Sequence, residues 1–86
     1  MPEVSRFFGI IIAMYYNDHV PPHFHAKYGD DQASLRIDNG AILEGGLRTR
    51  TLRLVEEWRQ LHQSELLEDW NRAQARQPLQ RIEPLE

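Results

Sequence analysis

Phe7-Phe8-Gly9-Ile10-Ile11-Ile12-Ala13-Met14-Tyr15-Tyr16 is the longest unbroken apolar run in the chain. It is β-branched at its centre, which predicts a single strand covered on both faces, behind a short polar lead-in from Met1 to Arg6. Pro21-Pro22 cannot continue a ladder, so the chain must turn there. From His23 to Tyr28 the pattern alternates, with Phe24, Ala26 and Tyr28 on one face and His23, His25 and Lys27 on the other. Gly29-Asp30-Asp31 is turn chemistry. Ala33, Leu35 and Ile37 alternate with Ser34, Arg36 and Asp38, which predicts a third strand. Asn39-Gly40 then reads as a two-residue hairpin turn into a fourth strand over Ala41–Glu44, and Gly45-Gly46 ends the sheet.

At Arg48 the period becomes helical. Leu47, Leu54, Val55, Trp58 and Leu61 fit one apolar stripe, with Arg53, Glu56, Glu57 and Arg59 largely outside it. Ser64 is the right residue type for an N-cap, with Glu65 in the first turn, where the helix dipole favours an acid. Leu66, Leu67, Trp70 and Ala73 carry a second stripe, and Pro78 closes it. Leu79, Ile82 and Leu85 are regularly spaced, so the tail is expected to pack back on the body. The expected fold is α+β, a four-stranded, mostly antiparallel meander followed by two helices on one face. Trp58 and Trp70 are expected in the core.

Composition narrows this picture rather than changing it. Eighty-six residues make one domain, residues 1–86, near the lower limit for a self-sufficient core. The absence of cysteine excludes disulfides and thiolate metal sites, and the formal charge of −3 argues against a general nucleic-acid coat. Phe7–Tyr16 is too short to cross a bilayer as a helix and lacks a small-residue cleavage site after it. The expectation is a cytoplasmic protein with no membrane partner.

The chemistry concentrates in Asp18-His19-Val20-Pro21-Pro22-His23-Phe24-His25-Ala26. His23 and His25, two apart on a strand, leave the same face a few ångströms from each other. If that face is open, one ring can be neutral and the other protonated near neutral pH, which suits acid–base work or phosphate contact. Asp18 or His19, across the proline turn, would orient a ring. Two other readings stay open: a hydrogen-bonded structural cluster, and a zinc or other divalent-metal site using His19, His23, His25 and a carboxylate. No organic cofactor is implied.

Arg48, Arg50 and Arg53 crowd a helix start. Beside Gly45-Gly46, Arg48 and Arg50 are candidate anion-binding groups, with Tyr28 as a further wall; a solvated face is the plain alternative. His62, near the end of the first helix, is expected to serve that helix's C-terminus.

Taken together, these residues resemble a known family. Pro2-Glu3-Val4-Ser5-Arg6-Phe7, the block Asp18-His19-x-Pro21-Pro22-His23-Phe24-His25-Ala26-x-Tyr28-Gly29, Gly40-x-x-Leu43-Glu44-Gly45 and Arg53-Leu54-Val55-x-x-Trp58 are similar to the small bacterial domain-of-unknown-function family 4160. Glu65-Leu66-Leu67-x-x-Trp70 and Ile82-Glu83-Pro84-Leu85 extend the resemblance over the chain, while Arg48 stands where the pattern leads one to expect proline. The resemblance implies a partner encoded by a neighbouring gene, similar to domain-of-unknown-function family 2442, in a two-gene arrangement like a toxin–antitoxin pair. It makes this chain a candidate for the toxin side; the paired imidazoles on the expected open face, not the resemblance, point to a phosphate-bearing target, with nucleic acid the candidate. A non-catalytic, antitoxin-like role and a homo-oligomer are the alternatives it leaves open.

Overall fold

A computed structural model of the chain describes residues 2–85; Met1, which opens the expected lead-in, and Glu86, which ends the expected domain, lie outside the described residues. Five strands precede two helices: β1 (Glu3–Phe7), β2 (Ile10–Ala13), β3 (His23–Tyr28), β4 (Asp31–Arg36), β5 (Ile42–Gly46), α1 (Thr49–Leu61) and α2 (Gln63–Gln74). The strands pair antiparallel in the order β1-β2-β3-β4-β5. The α+β meander is therefore present, with one strand more than expected.

The extra strand comes from the long apolar run, which folds as a hairpin instead of one strand. Phe8 and Gly9 both take positive φ, 49° and 79°, and Phe7 pairs with Ile10 across them. Two such residues make the tight turn whose twist suits antiparallel strands. The expected polar lead-in becomes β1, with Val4 and Ser5 buried.

The second correction concerns Asn39-Gly40. A turn is there, but it is wider than two residues: β4 ends at Arg36, β5 starts at Ile42, and Arg36 N–H bonds the Ala41 carbonyl at 2.9 Å. Ile37 lies just past the end of β4, with its side chain buried and its N–H donating to the Pro22 carbonyl at 3.1 Å. The Asn39 side chain accepts from Ala41 N–H at 2.8 Å, closing the loop locally.

On α1 the inward stripe runs through Val55, Trp58, Arg59 and half-buried His62, at the i, i+3, i+4, i+7 spacing. That phase rotates Leu61 out to solvent and brings Arg59 in, the reverse of the expected pattern for both. On α2, Leu66, Trp70 and Ala73 are buried as expected, while Leu67 is exposed. Ser64 is not the N-cap. His62 holds that place and also ends α1, its Nδ1 lying 2.6 Å from Glu65 Oε1.

The core joins Phe7, Ile12, Phe24, Ala26 and Leu35 of the sheet to Val55, Trp58, Leu66 and Trp70 of the helices. Trp58 centres it, with its ring 5.4 Å from Phe7 and 6.1 Å from Phe24. The tail does pack back. Ile82 is buried and its N–H donates to Val4 O at 2.8 Å, while Trp58 Nε1–H donates to Glu83 O at 2.8 Å.

Candidate functional site

Beyond β2 the chain loops through Asn17–Pro22 and enters β3 at His23, across a cis Val20–Pro21 peptide bond. β3 then imposes its two-residue period. His25 pairs with Ala13 on one side and Ser34 on the other, while His23 pairs with Arg36. Both imidazoles leave the same face, with ring centroids 5.1 Å apart and planes at 70°.

The loop brings Asp18 back over them. Its Oδ2 lies 2.9 Å from His23 Nε2 and 3.2 Å from His25 Nε2, so one carboxylate oxygen faces both rings. The other oxygen, Oδ1, accepts from the His19 backbone N–H at 2.9 Å. Gln74 of α2 donates from Nε2 to the Asp18 carbonyl at 3.1 Å, tying the loop to the helix. Burial works against the charged form of Asp18. Hydrogen bonds from His25 and the His19 amide, together with the His23 ring, outweigh it and hold the carboxyl below its ordinary value.

The two rings differ in access. His23 is only 8% exposed, with Trp70 of α2 at 5.3 Å, and its Nδ1 donates to the Pro21 carbonyl at 2.8 Å. The His25 side chain is 31% exposed and meets the Tyr15 ring edge-on at 4.5 Å. Of the two imidazoles expected on an open face, only His25 reaches solvent to a useful extent, because Trp70 of α2 packs against His23.

His25 also borders a groove of about 300 Å³ on that face, lined with Tyr15, Gln32, Ser34 and Glu44. Ser34 pairs with His25 and Glu44 with Ser34, so the three sit in one row across β3, β4 and β5. Neither Ser34 nor Glu44 was singled out as a site residue from sequence. Their signal lies in strand register, which alternation alone does not carry across a turn of unknown length. Lys27, two residues along β3, is exposed on the same face and pairs with Gln32 of the groove.

The remaining candidates lie elsewhere. His19 is exposed and contributes its backbone amide, so the trio whose ligand atoms converge is Asp18, His23 and His25, all within 4.8 Å of one another. Arg48, Arg50 and Tyr28 do come together, around a second hollow of about 260 Å³ with Phe8, Ile10, Thr51 and Leu54. There Arg48 Nε donates to Asp31 Oδ2 at 3.1 Å. Tyr28 is three residues from His25, about 10 Å along β3, and its odd spacing puts it on the opposite face. The structure does not bring the arginines to the histidines.

A family model for a domain of unknown function, DUF4160, matches residues 9–71, most of the chain. The chain belongs to that family. The match takes in the whole loop from Asp18 through β3 and continues through α1 and into α2, ending just past Trp70. In this DUF4160 chain, β1 and the tail fall outside the matched span. No curated protein and no solved structure matches the chain.

Proposed function

We propose that the chain is a small toxin-like effector that engages a phosphate-bearing target, with nucleic acid the best candidate, at the Asp18–His23–His25 centre. The observation that carries the reading is the meeting of both Nε2 atoms at one oxygen of Asp18, beside a groove that His25 lines. Two imidazoles and a carboxylate at such range can hold and pass a proton, and His25, the more open ring, is the one a target group can reach. Asp18 orients His25, while His23 anchors Asp18 from within. The proposed partner is the protein of a neighbouring gene, which would neutralise the effector. The small size of the domain and the absence of a membrane-length apolar helix among the described residues are compatible with such a role.

Expression in a bacterial host tests the proposal. The wild-type chain is expected to slow growth, and His25→Gln, which keeps a polar side chain in the strand, is expected to abolish the effect at equal protein level. Equal growth arrest by His25→Gln overturns the assignment of the centre. If the neighbouring gene's product is toxic alone and this chain relieves it, the two roles are the reverse of those proposed.

A further inference from the structure

We propose that Asp18, His23 and His25 bind one divalent transition-metal ion, zinc in the first instance, through Asp18 Oδ2 and the two imidazole Nε2 atoms. The inference rests on the same centre as the proposed function and deepens it at the contact with the target: with both Nε2 atoms on the ion, the ion takes over that contact from the imidazoles and supplies the positive charge that Arg48 and Arg50 are too remote to give. It is tested by binding alone, so the two can fail separately.

Hydrogen-bond accounting leads to the ion. The Pro21 carbonyl can only accept, so the contact at 2.8 Å places a proton on His23 Nδ1. In a neutral ring that leaves a lone pair on Nε2, which points at Asp18 Oδ2 from 2.9 Å. Two lone pairs do not face each other at that range without a positive species between them. His25 Nε2 approaches the same oxygen at 3.2 Å, so a single ion can answer both rings where protons would need one each.

The two spacings to the carboxylate suit the ion, and all three ligand atoms lie within 4.8 Å of one another. Zinc bonds of about 2.0–2.1 Å in a tetrahedron set neighbouring ligand atoms roughly 3.3 Å apart. The two contacts to Asp18 Oδ2, at 2.9 and 3.2 Å, need to open by only a few tenths of an ångström. Two of the three ligands, His23 and Asp18, are also held from behind. Pro21 O fixes the tautomer of His23, the His19 amide occupies Asp18 Oδ1 and leaves Oδ2 for the metal, and Gln74 holds the Asp18 backbone. Such outer contacts are what orient metal ligands. Two imidazoles and one carboxylate favour zinc and its neighbours over calcium or magnesium, which prefer all-oxygen sets. Three protein ligands leave a coordination position for water or a target oxygen.

The experiment uses the full chain without an affinity tag, stripped with a chelator and titrated with zinc chloride against a chromophoric competitor. One zinc per chain is expected, with a rise in Tm on loading. His25→Ala and Asp18→Asn are each expected to weaken binding at least tenfold, while His19→Ala stays within twofold of wild type. Cobalt added to the wild-type chain should give the intense visible absorption of a low-coordinate site, a readout that does not depend on any variant folding. A stoichiometry near zero in the wild type overturns the inference, as does wild-type affinity in both His25→Ala and Asp18→Asn, or an equal loss in His19→Ala. Zinc bound one-to-one by a chain without a growth effect keeps the ion and removes the effector; a His25-dependent growth effect in a chain that takes no zinc does the reverse.

Discussion

Arg59 shows how much a single side chain can hold together. Its Nη1 donates to the Ile37 carbonyl at 2.8 Å and the Asp38 carbonyl at 3.3 Å, while Nε and Nη2 grip both oxygens of Glu56. It thus nails the wide β4–β5 turn to α1 while being only 5% exposed. Arg59→Met keeps the stem but leaves the Ile37 carbonyl without its donor, and is expected to cost about 1.5–3 kcal/mol. Arg59→Lys is expected to recover little of that, since an ammonium cannot serve two carbonyls and a carboxylate in one plane. Urea denaturation with an unchanged m-value measures both. This residue also marks the limit of periodicity. Charge alone argued for the outside of the helix, and nothing local announces carbonyls from a distant turn. The candidate site was more legible, because His23 and His25 share a strand and their common face follows from its two-residue period. Asp18 was named beside His19 as an orienting group, but the choice between them depends on how the loop folds back.

Among the elements, β3 was read within its true bounds because its alternation is regular, whereas the β1–β2 hairpin was hidden by its turn. Phe8 is a poor residue for positive φ, and no alternation betrays a turn inside an all-apolar run. Its ring is 58% exposed, so it gains little burial in return. Phe8→Asn makes the turn Asn-Gly, the pair best suited to this geometry, and is expected to stabilise the fold by about 1 kcal/mol. In a domain of this size that raises Tm by about 4–8 °C, readable by calorimetry. The tail, by contrast, is announced by the regular spacing of Leu79, Ile82 and Leu85, which pack on the core, and charge helps fix it to β1. Arg81 Nη1 lies 3.0 Å from Glu3 Oε2 and Arg6 Nη2 lies 2.8 Å from Glu3 Oε1. Hydrogen bonds from Arg6 and then Arg81 lower the Glu3 carboxyl to about 2. A lowered folded-state value means that the contribution is complete above the ordinary carboxylate range and fades as pH falls towards 2. The Tm gap between wild type and Glu3→Gln should therefore be constant above about pH 5 and close progressively below pH 4. A gap that persists undiminished near pH 2 would contradict this.

Across the whole molecule, the sheet separates two polar hollows, one at the histidines and one at the arginines. The histidine centre opens on the groove of Tyr15, Ser34 and Glu44, while Arg48, Arg50 and Tyr28 gather at the far end of β3 on the opposite face. A phosphate-bearing chain lying along the groove would meet Lys27, which shares the face of His25 about 7 Å further along β3. It would not meet Arg48 or Arg50. The groove also carries Glu44, so attraction there depends on the balance of a few charges and is open to reversal. On the proposed function, Lys27→Glu should weaken the growth effect several-fold, and the loss in binding to a single-stranded oligonucleotide should shrink as salt rises. Lys27 is exposed and belongs to no packed cluster, so its replacement is expected to change stability by no more than about 0.5 kcal/mol. The double variant Arg48→Ala/Arg50→Ala is the control, expected to leave the growth effect intact although it removes two positive charges where Lys27→Glu shifts the charge by the same two units. Equal losses from both would mean that net charge, not placement beside His25, governs recognition. A loss confined to the arginine variant would move the target to the other face.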